Sequence, residues 1–262
     1  MRTRFGNHAE AWVVGLVWTS YWRSHTSRNL QFTPFVVLVR EGAVVRRSWV
    51  MRKTIAAIFL LALAAPVWGA SGWVSLFDGK TLNGWVLKSP HGRGYLVENG
   101  MLVAPADGGG NLFTEKEYSN FVFQLEFRLS VNGNNGIGIR APFEGDAAWR
   151  SMEIQILDDD GPEYKGKLKD FQYTGSIYWA VPSKTGHLKK AGEWNKMEIT
   201  ANGRRISVKL NGAVITDANL DDVKDPEILK KHPGLFRPQG HIGLLGHKSL
   251  VEFRNLRVKE LP

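Results

Sequence analysis

The run Ser151–Leu157 holds the residue types whose spacing best suits chemistry. Successive side chains of a strand point to opposite faces, so its apolar residues at even positions share one face. Glu153 and Gln155 share the other face. A carboxylate beside an amide on a sheet face is either solvated or lines a polar groove. The pattern therefore gives two interpretations, a wet outer face or a candidate site.

Charged residues flank this run in the chain. Arg140 ends a second strand-like run, just after Gly136 and Gly138, which leave room above a sheet. Asp158 follows the Glu153 strand directly, and the two acids after it are predicted to form a solvated turn before a Gly-Pro pair. Arg140 and Asp158 are therefore candidates to line the same groove.

Two aromatic residues could supply a surface for a sugar ring. Tyr178 and Trp179 are consecutive in Gly175–Ala180, which is predicted to be a strand. They would face opposite sides, so at most one faces the core. The other would offer a flat apolar face with a polar tip, which is a common way to hold a sugar.

One histidine lies where it could join the site. His247 follows a glycine in a predicted turn between two strands near the end of the chain. A lone histidine is more often structural than catalytic, so His247 is only a candidate acid–base group. His187 and His232 lie in lysine-rich stretches and are predicted to be solvated.

Several enzyme classes lack their motifs. There is no G-x-S-x-G elbow, no H-E-x-x-H and no Walker loop. The absence of cysteine excludes disulfides and thiolate chemistry. Gln155 replaces one acid of a close carboxylate pair, and Asp158 would point away from Glu153. The strand therefore argues against a retaining glycosidase that uses paired acids.

The elements that must position these residues are short strands separated by Gly, Asn and Pro. Asn99-Gly100 and Asn202-Gly203 are hairpin signals, and Asn120–Ser130 alternates apolar and polar residues over its whole length. Only Asp221–Lys231 is predicted to be helical. The pattern predicts an all-β fold, an antiparallel β-sandwich of the jelly-roll type with one short helix.

The first part of the chain is set apart by composition. Met51–Gly69 has a basic start, an apolar stretch and small residues before Ala70, as a signal peptide has. We predict that residues 1–50 are an upstream extension, disordered or not expressed, and that residues 70–262 form one sandwich domain. A basic arm and a long leader are the alternatives for 1–50. The mature protein would be secreted or periplasmic, without stable membrane insertion.

The charge does not favour nucleic acid as a partner. The whole chain carries a net charge of +9, but residues 1–53 supply +7 of it. Residues 71–262 therefore carry only +2, and nucleic-acid binding loses its electrostatic support.

Several motifs, in order, resemble the 3-keto-disaccharide hydrolase domain family. They are Leu76–Trp85 (LFDGKTLNGW), Asn135–Ile137 (NGI), Glu153–Asp158 (EIQILD), Thr174–Tyr178 (TGSIY), Gly192–Asn195 (GEWN), Leu210–Gly212 (LNG) and Phe253–Asn255 (FRN). The resemblance covers essentially all of residues 71–262. It implies a concanavalin A-like lectin/glucanase sandwich, export from the cell and action on 3-keto-glycosides.

Chemistry on such a substrate needs one base and an electrophile. A ketone at C3 acidifies the C2 proton, so removing that proton can expel the C1 substituent, and water then adds. We expect His247 or Glu153 to be the base, with Arg140 or a divalent cation stabilising the enolate oxygen. The residues expected to bind the carbohydrate substrate are Gln155, Asn135, Asp158, Tyr178 and Trp179.

No ligand spacing identifies a metal. Glu153, Asp158 and His247 are hard or borderline donors, so a divalent cation is compatible with the sequence. Two alternatives to an enzyme remain. One is a non-catalytic carbohydrate-binding module, and the other is a structural domain with a wet polar face.

Overall fold

The computed structural model describes residues 13–17, 35–39 and 72–262. In the first fifty residues, β1 (Val13–Val17) and β2 (Phe35–Val39) pair antiparallel. That pairing adds an element where we expected none. The predicted signal peptide lies outside the described residues, and the predicted division of the chain stays a prediction.

Two antiparallel sheets build the part of the chain after residue 71. The strands are β3 (Trp73–Ser75), β4 (Trp85–Gly92), β5 (Leu96–Glu98), β6 (Met101–Ala104), β7 (Gly108–Tyr118), β8 (Phe121–Leu129), β9 (Asn134–Ala141), β10 (Met152–Leu157), β11 (Trp194–Asn202), β12 (Arg205–Leu210), β13 (Ala213–Asn219), β14 (Gly240–Gly246) and β15 (Val251–Glu260). One sheet has the order β10–β9–β14–β7–β4. The other runs β13–β12–β11–β8–β15–β6–β5, with β3 also paired to β15.

Alternation along the strands builds the core between the two sheets. In β8 every odd-numbered residue from Phe121 to Leu129 is buried, and the even-numbered residues are half-buried. From the other sheet, Ile137, Ile154 and Leu244 join the same apolar cluster. The predicted antiparallel jelly-roll sandwich is thus confirmed, and its physical cause is this period of two.

Tight turns explain the short connections. Asn99 and Gly100 both have positive φ, at 51° and 76°, as the turn between β5 and β6 requires. Asn211 and Gly212 do the same between β12 and β13, with φ of 49° and 94°. These hairpins agree with the signals in the sequence.

The helix prediction was partly wrong. The structure has a 3-10 turn at Leu220–Asp222 and a short α2 (Pro226–Lys231) that Asp225 caps. Proline is tolerated only in the first helical turn, so Pro226 fixes the start there. A further helix, α1 (Ala147–Arg150), was not predicted.

The predicted strand Gly175–Ala180 does not form. Ile177 makes only isolated bridges, to Ile154 and to Val181, so this segment lies against the free edge of β10 as a loop. It turns at Gly175, with a φ of 88°, and at Trp179, with a φ of 56°, so it does not run as a regular extended strand.

Glu153 and Gln155 lie on the outer face of the five-stranded sheet. One cross-strand row there runs Gln155, Gly136, Leu245, Asn111, Lys88 from β10 to β4. The segment 142–150 covers part of this face, because its Phe143 packs on Phe113 and Leu245. Within the described part of the chain, no helix is both long and apolar enough to span a membrane.

Candidate active site

The Glu153 side chain lies flat across a glycine of the next strand. A Cβ at Gly136 would come within 1.9 Å of Glu153 Oε1, so only glycine leaves space for this carboxylate. Glu153 is 2% exposed, and no partner among the described residues hydrogen-bonds to its Oε1. A buried carboxylate oxygen without a partner is costly, so it marks a place where a ligand or a neighbour must complete the bonding.

His247 is that neighbour. Its Nε2 lies 3.8 Å from Glu153 Oε1, and its side chain is 48% exposed. The distance is that of an ion pair, and a closing movement of about 1 Å would complete a hydrogen bond. The imidazole therefore contacts the buried acid on one side and is open to the groove on the other.

The turn that carries His247 is fixed to β9. The Ser249 hydroxyl donates to the Asn134 carbonyl and accepts the Asn134 N–H, both at 2.7 Å. Lys248 between them has a φ of 54°, which turns the chain sharply. These contacts hold the imidazole over the sheet.

The Glu153 carboxylate raises the pKa of His247. The nearby Glu153 carboxylate is the main cause, charge attraction by Asp146 adds to it, and burial acts in the opposite direction. The imidazolium thus persists to higher pH than an isolated histidine would allow. Such a pair has the arrangement of a base oriented by a carboxylate.

Gln155 continues the polar face toward the end of β10. Its Nε2 lies 3.3 Å from Asn134 Oδ1, so the amide and Asn134 form one wall. Gln155 is buried beside Glu153 and keeps the orientation that strand alternation predicts. Asn134 faces the groove, and sequence reasoning had not selected it.

Aromatic side chains form the rim next to β10. The Tyr178 N–H donates to the Glu153 carbonyl at 2.9 Å, which places Tyr178 against the site. Its ring lies 5.8 Å from the ring of Trp149 and 6.3 Å from that of Trp179. Trp179 is engaged elsewhere, since the ammonium groups of Lys169 and Lys231 lie 4.7 and 5.3 Å from its ring. Tyr178 is therefore the better placed of the two predicted aromatics.

The prediction that Arg140 stabilises an enolate was wrong. Arg140 is 2% exposed, and its guanidinium donates to the carbonyls of Ser119 and Gly203, each at 2.8 Å. Its φ of 53° turns the residue out of the strand alternation. It joins two turns and has a structural role.

The prediction for Asn135 was also wrong. Asn135 is fully buried on the core face that it shares with Ile137, and its Oδ1 accepts the Gly136 N–H at 2.9 Å. It lies beside the Tyr95 hydroxyl. Burial raises the pKa of Tyr95, and hydrogen bonding to Asn135 opposes part of that rise. It cannot contact a substrate on the outer face.

Asp158 caps a turn. The carboxylate is buried, and its Oδ2 accepts the Asn132 N–H at 2.9 Å, which holds two loops together. This placement contradicts a direct substrate contact. Asp159, predicted to be solvated, is instead half-buried and accepts the Thr174 N–H at 3.0 Å, with the Thr174 hydroxyl 3.1 Å from the same oxygen. Burial raises the pKa of Asp159 to about 6.

Sequence reasoning missed His91 at the far end of β4. A Cβ at Gly109 would lie 3.2 Å from His91 Nε2 and 3.7 Å from the Gly246 Cα, so the imidazole lies over β7 next to the His247 turn. The signal was the run of three glycines at 108–110, which gives room for a side chain from a neighbouring strand. Nothing local connects that run to His91.

The divalent cation stays a prediction. Across residues 72–262 and the two described strands before them, no group of three or more His, Asp or Glu side chains is placed to hold a metal ion.

The fold and this groove define a jelly-roll β-sandwich with a carboxylate–imidazole pair in a polar groove on one outer sheet face. The chain belongs to the family described as the 3-keto-alpha-glucoside-1,2-lyase-like domain, whose model matches residues 72–259. The resemblance in the sequence motifs is thereby confirmed.

Individual relatives agree with this assignment. A 3-keto-disaccharide hydrolase of Bacteroides thetaiotaomicron is 27% identical over 254 residues, covering 80% of this chain and 85% of the relative. A provisionally assigned glycosyl hydrolase of Parabacteroides distasonis is 30% identical, with a TM-score of 0.61, over 72% of this chain and 99% of that one. A second such structure from that organism, 24% identical with a TM-score of 0.60, covers 74% of this chain and 95% of its own. It supports the fold alone.

Proposed function

We propose that the protein is an exported enzyme that cleaves the glycosidic bond of 3-keto-glycosides, among them 3-keto-disaccharides, by elimination followed by hydration. The observation that carries this proposal is the pair of Glu153 and His247. Glu153 is enclosed, and its Oε1 has no hydrogen-bond partner among the described residues, whereas His247 faces the groove. The distance from His247 Nε2 to Glu153 Oε1 is 3.8 Å. Family membership and the hydrolase relative support the substrate class.

His247 is the base in this mechanism, because its half-exposed ring can reach a sugar and the enclosed Glu153 cannot. The carboxylate orients the imidazole and stabilises it once protonated, in the manner of an acid that supports a catalytic histidine. The C2–H electron pair forms the C1–C2 double bond, and the C1–O bond breaks toward the leaving group.

Hydration then completes net hydrolysis. Water adds its oxygen to C1 and a proton returns to C2, which gives a free 3-keto sugar. An enzyme that released the unsaturated intermediate would be a lyase, and one that retained it would be a hydrolase. The family description names a lyase, and the relative's name is that of a hydrolase. The released product, unsaturated or hydrated, therefore distinguishes the two reactions.

The groove also offers binding groups. We propose that Gln155 and Asn134 hold hydroxyl groups of the sugar and that Tyr178 covers one face of its ring. Trp149, beside Tyr178, extends the aromatic rim. These contacts orient C2 toward His247, which is the proximity that such a proton transfer needs.

The test is turnover of a 3-keto-disaccharide in D₂O. Elimination and hydration place deuterium at C2 of the released 3-keto sugar, whereas direct hydrolysis leaves hydrogen there. A product incubated without enzyme corrects for spontaneous exchange. Glu153→Gln should lower kcat/KM by about 10²–10⁴-fold while the protein stays folded.

Other outcomes would redirect the proposal. Release of the sugar without deuterium would contradict elimination. No turnover, with saturable binding of unoxidised oligosaccharides, would favour a binding module. EDTA followed by added divalent cations tests the cation, since loss and recovery of activity would assign it to enolate stabilisation.

A further inference from the structure

The Nε2 of His91 has no hydrogen-bond partner within the described residues and is shielded from solvent. The ring lies on the outer face of the five-stranded sheet, at the β4 position that pairs with Gly109 of β7. A shielded imidazole nitrogen without a partner is costly unless something else bonds to it. The residue as a whole is half-buried, so a rotation of the ring would turn Nε2 from the sheet toward a ligand in the groove.

The local sequence is built to place this ring. A Cβ at Gly92 would lie 1.7 Å from the Asp107 carbonyl, and one at Gly110 would lie 2.8 Å from the Ser89 carbonyl. The glycines therefore let the end of β4 fold tightly against β7. Arg93 and Asp107 close this end with a bidentate ion pair at 2.9 to 3.2 Å.

His91 and Glu153 lie on either side of His247. The Glu153 carboxylate lies over Gly136 of β9, and the His91 imidazole lies over Gly109 of β7. The strand between them is β14, which leads into His247. Neighbouring strands are about 4.8 Å apart, so the two groups lie over strands about 10 Å apart, with β14 and the start of the His247 turn between them.

We propose that His91 is a further catalytic residue, the acid that protonates the glycosidic oxygen as it leaves C1. This inference rests on the proposed elimination. An alkoxide is a poor leaving group, so the C1–O bond breaks faster when an acid protonates the leaving oxygen. His91 lies across β14 from the Glu153 carboxylate, and no described residue competes for a proton on its Nε2.

Other donors near His91 are already engaged. The Tyr95 hydroxyl donates to the Leu244 carbonyl at 2.9 Å, and the Lys88 ammonium lies over the Phe143 ring at 4.9 Å. Arg93 is paired with Asp107. His91 is thus a buried group without a partner among the described residues at this end of the groove, and it is our candidate for the acid.

The proton balance closes. His247 takes the C2 proton while the C1–O bond breaks, and the leaving oxygen receives its electron pair and the proton from His91 Nε2. In the hydration step, the water that attacks C1 gives a proton to His91, and C2 takes a proton from His247, whose half-exposed imidazolium has exchanged its protons with solvent. Both histidines return to their starting states.

The experiment compares two leaving groups on the full protein. Methyl 3-keto-glucoside must have its leaving oxygen protonated, whereas 4-nitrophenolate leaves without a proton. We expect His91→Gln to lower kcat/KM by about 100-fold or more on the methyl substrate and by less than about 5-fold on the nitrophenyl substrate. His187→Gln, at an exposed loop histidine, is the matched control and should change neither.

The other possible results separate the role of His91 from the proposed function. Equal losses on both substrates, or no loss on either, would overturn the role of His91 and leave the proposed function standing. Glu153→Gln should lose both substrates equally, because both need the C2 proton removed. Failure of the wild type on both would overturn the proposed function, and this inference with it.

A second variant guards against a folding defect. His91→Ala opens a space beside Gly109, and free imidazole should restore turnover of the methyl substrate in a concentration-dependent way. Restoration by imidazole but not by a non-basic ring such as thiophene supports proton transfer. A purely structural role for His91 would show no such difference.

Discussion

Gly136 is needed because the Glu153 carboxylate occupies the volume that any side chain would fill. A Cβ there would lie 1.9 Å from Oε1 and 2.7 Å from Cγ, so Gly136→Ala must push the acid away from His247. We expect kcat/KM to fall about 100-fold and unfolding free energy to fall by about 1–3 kcal/mol from overpacking. Kinetics and urea denaturation measure the two effects.

Two further variants test whether the effect of Gly136→Ala comes from its contact with Glu153. Gly138→Ala, on the same strand face, would meet its nearest atoms only at 3.5 Å and should change little. Combining Gly136→Ala with Glu153→Ala should recover stability without recovering activity, because the clash is gone and so is the acid. A loss in Gly138→Ala equal to that in Gly136→Ala would mean that the strand, not the acid, is sensitive.

The raised pKa of His247 predicts a shift in the pH dependence. As a base, His247 must be unprotonated, so the rate should rise with pH through a pKa above the ordinary 6.5. In Glu153→Gln the carboxylate is lost, so this rise should move to lower pH as the plateau falls. NMR titration of the His247 ring provides the independent measurement. An unchanged midpoint would mean that Glu153 does not act on His247.

The same pair affects stability in a direction that can be stated. Because the folded pKa of His247 is raised, the ion pair contributes fully below pH 6.5, and its contribution is lost as the pH rises through the folded value. His247→Gln should therefore cost more stability at pH 5.5 than at pH 9. The imidazole is half-exposed, so the difference should stay below about 1 kcal/mol.

Alternation was enough to predict that Glu153 and Gln155 share one face, whereas His247 became a candidate base only through the chemistry that the family resemblance implies. Alternation also placed Asn135 on the face of Ile137, so its burial follows from the same rule that we applied to Ser151–Leu157. Arg140 could not have been predicted, because a φ of 53° redirects its side chain at the strand end. His91 depends on pairings across the sheet that no local pattern carries.

At the scale of elements, the segment 173–181 decides the shape of the site's edge. Its Thr174 hydroxyl donates to the Leu157 carbonyl at 2.7 Å and accepts the Leu157 N–H at 2.9 Å, which ties the segment to the end of β10. Asp159 holds the same threonine from the other side. The segment is therefore a loop fixed by polar contacts, which the strand propensity of its residues does not indicate.

Asp159 makes the free energy of unfolding depend on pH through this segment. Its folded pKa of about 6 exceeds the ordinary 3.8, so the folded state binds the proton more tightly and stability falls as the pH rises from 4 to 6. We expect Asp159→Asn to raise the unfolding free energy by about 1–2 kcal/mol at pH 7.5 and by little at pH 4. Urea denaturation at the two pH values measures the difference.

The control for the Asp159→Asn variant is the same substitution at the neighbouring residue. Asp160 is exposed and pairs with Lys165 at 3.3 Å, so Asp160→Asn should change stability by less than about 0.5 kcal/mol at either pH. If Asp159→Asn instead destabilised the protein equally at both values, its role would be hydrogen bonding to Thr174 rather than a buried charge.

At the scale of the whole molecule, the family match begins at residue 72, next to the end of the predicted signal peptide. Hydrophobic alternation and hairpin signals predicted the sandwich, because each strand's period of two agrees with burial on one face. The number of strands in each sheet and the strand order were not predictable, since they depend on contacts between strands far apart in sequence. β14, for example, pairs with β7 and β9.

The composition of Met51–Gly69 predicts that translation from Met51 yields a protein that is exported and cleaved before Ala70. The basic pair at 52–53 and the apolar stretch after it can direct export only from an N-terminus. We therefore expect a chain begun at Met51 to appear outside the cytoplasm of a bacterial host with Ala70 as its first residue. Mass spectrometry of the purified protein gives that N-terminus directly. Leu60→Arg, which interrupts the apolar stretch, should hold the uncleaved chain inside the cell. Cleavage at another bond, or export unaffected by Leu60→Arg, would contradict this division of the chain.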